Sequence, residues 1–140
     1  MISVYVLSES AIVGQDLKDS LVISIVSPGR EHPYIQGTNI HKFHFHDVIQ
    51  VYEMPDGMLV RPMSETIAEQ IVDVALKNIH VEKWFIHCEA GISRSPGVAI
   101  GLSKYFSMSP NRKTLQKMFQ CHNKHVRKLI EEELQNRMEK

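Results

Sequence analysis

Glu82-Lys83-Trp84-Phe85-Ile86-His87-Cys88-Glu89-Ala90-Gly91-Ile92-Ser93-Arg94-Ser95-Pro96 changes character twice within fifteen residues. Trp84-Phe85-Ile86 is a short apolar run of the length of a buried strand, so residues 82 to 87 are expected to be extended. Ser95 to Phe106 reads as a helix, because Pro96 in the first turn lacks only an N–H that would go unused there. Cys88 to Arg94 must then be a tight loop between a strand and a helix. Such a loop turns several backbone N–H groups towards one point at a helix N-terminus, which suits an anion.

The flanking sequence repeats the alternation of strand and helix. Ile2 to Leu7 is β-rich, and Ser8-Glu9-Ser10 opens a short helical segment ending near Asp19. Leu21 to Val26 is almost continuously β-branched, as in strands covered on both faces of a parallel sheet. Ile40 to His46 alternates Phe43 and Phe45 with His44 and His46, the period of a strand. Residues 47 to 63 are irregular, with Pro55-Asp56-Gly57 as the clearest turn, and read as a loop over the site. Ser64 is a good N-cap for a helix to about Asn78 with Ile67, Ile71, Val74 and Ala75 on one face. Ser109-Pro110 precedes a helix from Asn111 to about Gln120. His122 to Met138 is a last amphipathic helix, with Val126, Leu129, Ile130 and Leu134 as its stripe. The expected fold is α/β: one domain over residues 1–140, a three-layer sandwich with a mostly parallel sheet of four or five strands between helices.

Composition narrows the function. A chain of 140 residues is long enough to bury a core without staples. Sixteen basic residues balance sixteen acidic ones, so nothing favours nucleic acid or an anionic membrane as partner. No apolar run approaches the ~20 residues of a membrane span, and the N-terminus reads as a strand, not a secretory signal. Two cysteines make no disulfide framework. A free reactive thiol needs a reducing compartment, so the cytoplasm is expected, and a monomer is assumed.

Displacement at a phosphate ester needs a nucleophile, a cradle for three oxygens and a proton for the leaving group. Cys88 supplies the first, in a setting that favours thiolate over thiol. The loop from His87 through Glu89, Ala90, Gly91, Ile92 and Ser93 supplies the cradle, and Arg94 adds a rigid fork of donors matched to phosphate. Gly91 permits a backbone conformation that a side chain would obstruct. Ser95 is placed to donate to the sulfur and ease its departure, and His87 to steady the loop backbone. No metal or other cofactor enters this chemistry.

The pattern H-C-x-x-G-x-x-R-S between a strand and a helix resembles the signature of the protein tyrosine phosphatase superfamily. Cys-Glu-Ala-Gly-Ile-Ser-Arg-Ser-Pro is similar to its compact dual-specificity-like branch, as found in bacteria, archaea and phages. Val22 to Pro28 looks like that group's second strand and Phe43 to Asp47 like the strand that carries its acid, so the resemblance runs from about residue 20 to 105. It implies hydrolysis of phosphotyrosine, and of phosphoserine or phosphothreonine where the pocket is shallow, through a phosphocysteine.

The leaving oxygen calls for a carboxylic acid on a separate loop. Asp47, at the end of a strand, is the preferred candidate, because a strand end is a firmer mount than a turn. Asp56 is the alternative. Its Pro-Asp-Gly setting is that of a turn residue, but its spacing before Cys88 is closer to that of some compact phosphatases. Glu53, or no dedicated acid, completes the options. Glu89 in the loop is expected to disfavour polyanionic head groups by like-charge repulsion, leaving phosphoproteins or aryl phosphates as substrates. The eight histidines, His44 and His46 among them, are read as solvated or hydrogen-bonded, and Cys121 as an incidental thiol rather than a redox partner of Cys88. Competing classes are a sulfurtransferase or arsenate reductase using the same kind of thiolate, and a phosphate-binding module without turnover.

Overall fold

A computed structural model describes residues 1–139. Five strands form one sheet in the order β3-β2-β6-β1-β7: β1 (Ile2–Leu7), β2 (Leu21–Val26), β3 (Ile40–His44), β6 (Lys83–His87) and β7 (Met108–Ser109). All of them run parallel. Two further short strands, β4 (Tyr52–Glu53) and β5 (Leu59–Val60), pair antiparallel as a separate hairpin. The helices are α1 (Glu9–Ile12), α2 (Glu65–Lys77), α3 (Arg94–Ser103), α4 (Arg112–Met118) and α5 (Lys124–Met138).

The sheet is sandwiched between unequal layers. Period-two alternation sends Leu21, Ile23 and Ile25 of β2 and Trp84 and Ile86 of β6 to one face, where Ala68, Ile71, Val98, Leu102, Leu115, Ile130 and others cover them. Val22 and Phe85 point to the other face, which Ile12 and Leu17 cover with help from Ile35 and Ile40. Both α/β class and three-layer arrangement therefore match the expectation. The sheet is all parallel, and its fifth strand is β7, which had no signature in the sequence. Two residues are too few for a period, and β7 exists only because Met108 and Ser109 fall beside Ile2 and Ser3.

The helix caps are legible one by one. Ser64 Oγ accepts from Ile67 N–H at 3.2 Å, Asn111 Oδ1 from Thr114 N–H at 2.9 Å and Asn123 Oδ1 from Val126 N–H at 3.0 Å. Several boundaries differ from the expected ones, among them α3 ending at Ser103 instead of Phe106 and α5 starting at Lys124 instead of His122. The first helix is a single turn, β3 stops at His44, and residues 52 to 60 form the hairpin where an irregular loop was expected.

Helix α3 leaves the centre of the sheet and is buried from Arg94 to Leu102. It packs tightly on α5. A Cβ on Gly97 would lie 2.7 Å from the Asn123 carbonyl oxygen, and one on Gly101 would lie 2.8 Å from Ile130 Cβ. Among the described residues no helix is long and apolar enough to cross a membrane.

Candidate active site

β6 lies between β2 and β1, so the chain leaves it at the middle of the sheet's C-terminal edge, where open parallel sheets place their sites. Residues 88 to 93 turn from β6 into α3 against the end of β1. Gly91 adopts a φ of +75°, and a Cβ there would sit 2.6 Å from the Ser8 nitrogen and 2.7 Å from the Leu7 carbonyl carbon. Both the dihedral angle and the space exclude a side chain.

Three of the loop's carbonyls are tied in place. His87 Nδ1 lies 3.1 Å from the Cys88 carbonyl, Glu9 N–H donates to the Glu89 carbonyl at 3.1 Å, and Asn123 N–H and Gly97 N–H donate to the Ser93 carbonyl at 2.9 and 3.0 Å. In a planar trans peptide the N–H points opposite to the C=O, so each tie turns the following amide away from that partner. Among the described residues, the N–H groups of Glu89, Ala90, Ile92 and Ser93 donate to no protein acceptor. This is a nest of donors in which the Cys88, Glu89 and Ser93 carbonyls are held back.

Cys88 is 1% exposed. Its sulfur accepts from Gly91 N–H and from Ser95 Oγ, both at 3.2 Å. Arg94 is buried, and its Nη1 donates to the Phe45 carbonyl at 2.8 Å and to Ser27 Oγ at 3.1 Å. Its Nη2 donates to Glu89 Oε1 at 2.9 Å. The remaining edge of the fork is empty, since Nε is buried without a partner. A buried charged donor of this kind is able to take an acceptor from outside the chain.

Glu89 is not the free acidic rim that was expected. Its Oε1 also accepts from Ser27 N–H at 2.8 Å and Ser27 Oγ at 2.7 Å, and its Oε2 pairs with Arg30, which reaches on to Glu9 at 3.3 Å. Burial alone would raise the carboxyl's pKa. Hydrogen bonds from Ser27, Arg94 and Arg30 outweigh that and hold it at about 2. Glu89 is thus a permanently charged brace between two arginines, and its repulsion of an incoming anion is largely offset by them.

Of the three candidate acids, Asp47 is the one hydrogen-bonded to the loop. Its Oδ1 accepts from Ser93 Oγ at 2.7 Å and from Asn123 Nδ2 at 3.0 Å, and the latter also donates to the Val48 carbonyl at 3.1 Å. Asp56 accepts from Met58 N–H at 3.0 Å inside its own turn, and Glu53 is exposed on β4. Asp47 lines an open cleft of about 460 Å³ with Ser93, Tyr52, Cys121 and Lys124, while Ile92 stands out of the loop, 59% exposed. Cys121 is an exposed free thiol.

The histidines mostly find local partners. His44 faces the His32 ring edge-on and meets the Arg30 carbonyl, His41 bonds Asn39, and His122 and His125 bond backbone carbonyls. Ser27, Arg30 and Asn123 were missed as parts of the site. Ser27 drew no reading of its own, and Asn123 was placed inside a helix starting at His122, whereas it is that helix's N-cap; neither position carried any sign of what it would meet across the fold.

No family model, curated protein or solved structure matches the chain.

Proposed function

We propose that this chain is a cysteine-dependent phosphomonoester hydrolase of the protein tyrosine phosphatase superfamily, acting through a phosphocysteine. The observation that carries the reading is the convergence of a thiol sulfur, four unpaired loop amides and the open Nε edge of Arg94 at one helix N-terminus. The Glu89 and Ala90 amides and the Arg94 guanidinium are already held from behind, so little reorganisation of these donors accompanies the binding of a phosphoryl group.

In the first step the Cys88 thiolate attacks phosphorus, the ester P–O bond breaks, and the carboxyl of Asp47 gives its proton to the leaving oxygen. In the second, Asp47 as carboxylate takes a proton from water. The water oxygen attacks phosphorus and the S–P bond breaks. Sulfur leaves as thiolate with the Ser95 hydroxyl donating to it, and inorganic phosphate departs. The tie of Asp47 to Ser93 and Asn123 supports this role by keeping the acid at the loop's rim. Among the described residues, the interior of the loop offers no free cation for a second phosphate, because Arg30 and Arg94 both engage Glu89. A phosphoprotein side chain, phosphotyrosine foremost, or an aryl phosphate is the substrate class that follows. The thiol chemistry points to a reducing compartment such as the cytoplasm.

The test is turnover of p-nitrophenyl phosphate. It is expected to be insensitive to EDTA, inhibited by vanadate and reduced to background in Cys88→Ser. Asp47→Asn should lower kcat by about 10²-fold on phenyl phosphate with KM little changed, and by less on p-nitrophenyl phosphate, whose leaving group needs no proton. Wild-type protein that binds phosphopeptide without turnover would replace the enzyme by a binding module. Equal losses on both esters would remove Asp47 as the acid.

A further inference from the structure

The imidazole that holds the Cys88 carbonyl is itself held from behind. A carbonyl only accepts, so His87 Nδ1 carries the proton of that 3.1 Å bond. The Nε2 of a neutral ring is then an acceptor, and it lies 2.5 Å from Ser24 Oγ. Ser24 has one proton and gives it to Nε2, which leaves its oxygen to accept from His32 Nδ1 at 2.7 Å. Every donor and acceptor in the series is thereby assigned, running from His32 through Ser24 and His87 to the Cys88 carbonyl.

The series is built into the fold. Ser24 and His87 are paired residues on neighbouring strands, 1% and 0% exposed, while His32 comes from the segment after β2. His32 Nε2 is buried without a partner, and in this arrangement it carries a lone pair and not a proton. Burial lowers the pKa of His87 below the usual histidine range. Burial, with His44, Lys42 and His87 nearby, brings that of His32 down to about 4. Both rings are therefore neutral at physiological pH, as the assignment requires.

We propose that Ser24 and His32 are positioning residues, acting through His87 to hold the Cys88–Glu89 peptide so that the Glu89 N–H faces the bound phosphoryl oxygens. The peptide is planar, so the side that His87 grips decides the side on which the Glu89 amide is offered. Without the Ser24 hydroxyl, His87 Nε2 is a buried acceptor with no donor. The ring is then free to change tautomer or turn, and the Cys88 carbonyl loses its restraint. The inference rests on the reading of this loop as a phosphoryl site.

The experiment follows backbone amides of the ¹⁵N-labelled chain by NMR while inorganic phosphate is added, alongside p-nitrophenyl phosphate kinetics. In the wild type the Glu89 amide proton should move downfield together with those of Ala90 and Ile92. In Ser24→Ala the Glu89 movement should fall by at least half while Ala90 and Ile92 still respond. Phosphate should bind about tenfold more weakly, the equivalent of one hydrogen bond, and Ser24→Thr should restore both. His32→Ala leaves the buried strand untouched and should act in the same direction by about threefold, so the question stays open to test if Ser24→Ala does not fold. A Glu89 amide that responds equally in the wild type and both variants overturns the positioning role, whatever their thermal stability. If no loop amide of the wild type responds to phosphate, the phosphoryl-site reading itself fails, and the proposal with it.

Discussion

At Glu89 a single carboxylate faces two guanidinium groups and a serine, and the balance of burial against hydrogen bonding leaves its pKa at about 2 instead of 4.5. A carboxyl whose pKa is depressed on folding stabilises the folded state above its unfolded value and loses that contribution as pH falls through the folded one. Glu89→Gln should therefore lower Tm at neutral pH, and its deficit against the wild type should shrink between pH 4.5 and about 2. Thermal melts by circular dichroism across that range measure it. A deficit that does not change with pH would mean that the loss is one of packing and not of charge. The consequence is geometric: Ser27 and the Phe45 carbonyl engage Nη1 of Arg94 and Glu89 engages Nη2, while Nε is left without a protein partner.

Among the elements, α3 and α5 do most to shape the site from a distance. Their contact at Gly97 and Gly101 differs in what lies opposite. Gly97 faces the backbone of Asn123, whose N–H holds the Ser93 carbonyl and whose side chain holds Asp47. Gly101 faces Ile130, an apolar side chain remote from the loop. Gly97→Ala and Gly101→Ala should both destabilise by about 1–3 kcal/mol, the usual scale of overpacking. Only Gly97→Ala should also lower kcat on phenyl phosphate, because the backbone it displaces carries the acid's tether. Denaturant melts with kinetics on the folded fraction separate the two, and an equal kinetic loss in both variants would sink the argument. A cap that is also a tether is invisible in sequence. Asn123 was read as lying within the last helix, and its three partners, Asp47, Val48 and Ser93, lie 30 or more residues upstream.

At the scale of the whole molecule, one apolar cluster joins β1, β2 and β6 to α2, α3, α4 and α5. Trp84, the chain's single tryptophan, is wholly buried within it. None of these four helices can leave without exposing the same core, so unfolding should be cooperative. Trp84 fluorescence and far-ultraviolet circular dichroism should give coincident urea transitions, and an early fluorescence change would show a separable layer.

The alternation of apolar runs with amphipathic helical stretches was enough to state the α/β class, because side-chain period and burial are local consequences of which face meets the core. The loop was equally legible. Cys88, Gly91, Arg94 and Ser95 fall within eight residues, and a strand running into a helix confines their backbone to one region of space. Sequence alone did not decide what stands behind that loop. Ser27 and Arg30 on Glu89, Asn123 on Asp47, and Ser24 and His32 on His87 meet only because parallel strands bring distant chain segments to one edge of the sheet. Strand order and register are global properties, set by how all the apolar faces pack at once. Hydrogen bonds that span them carry no local signal, and for that reason the reversal in the reading of Glu89, from repelling rim to internal brace, had to wait for the tertiary structure.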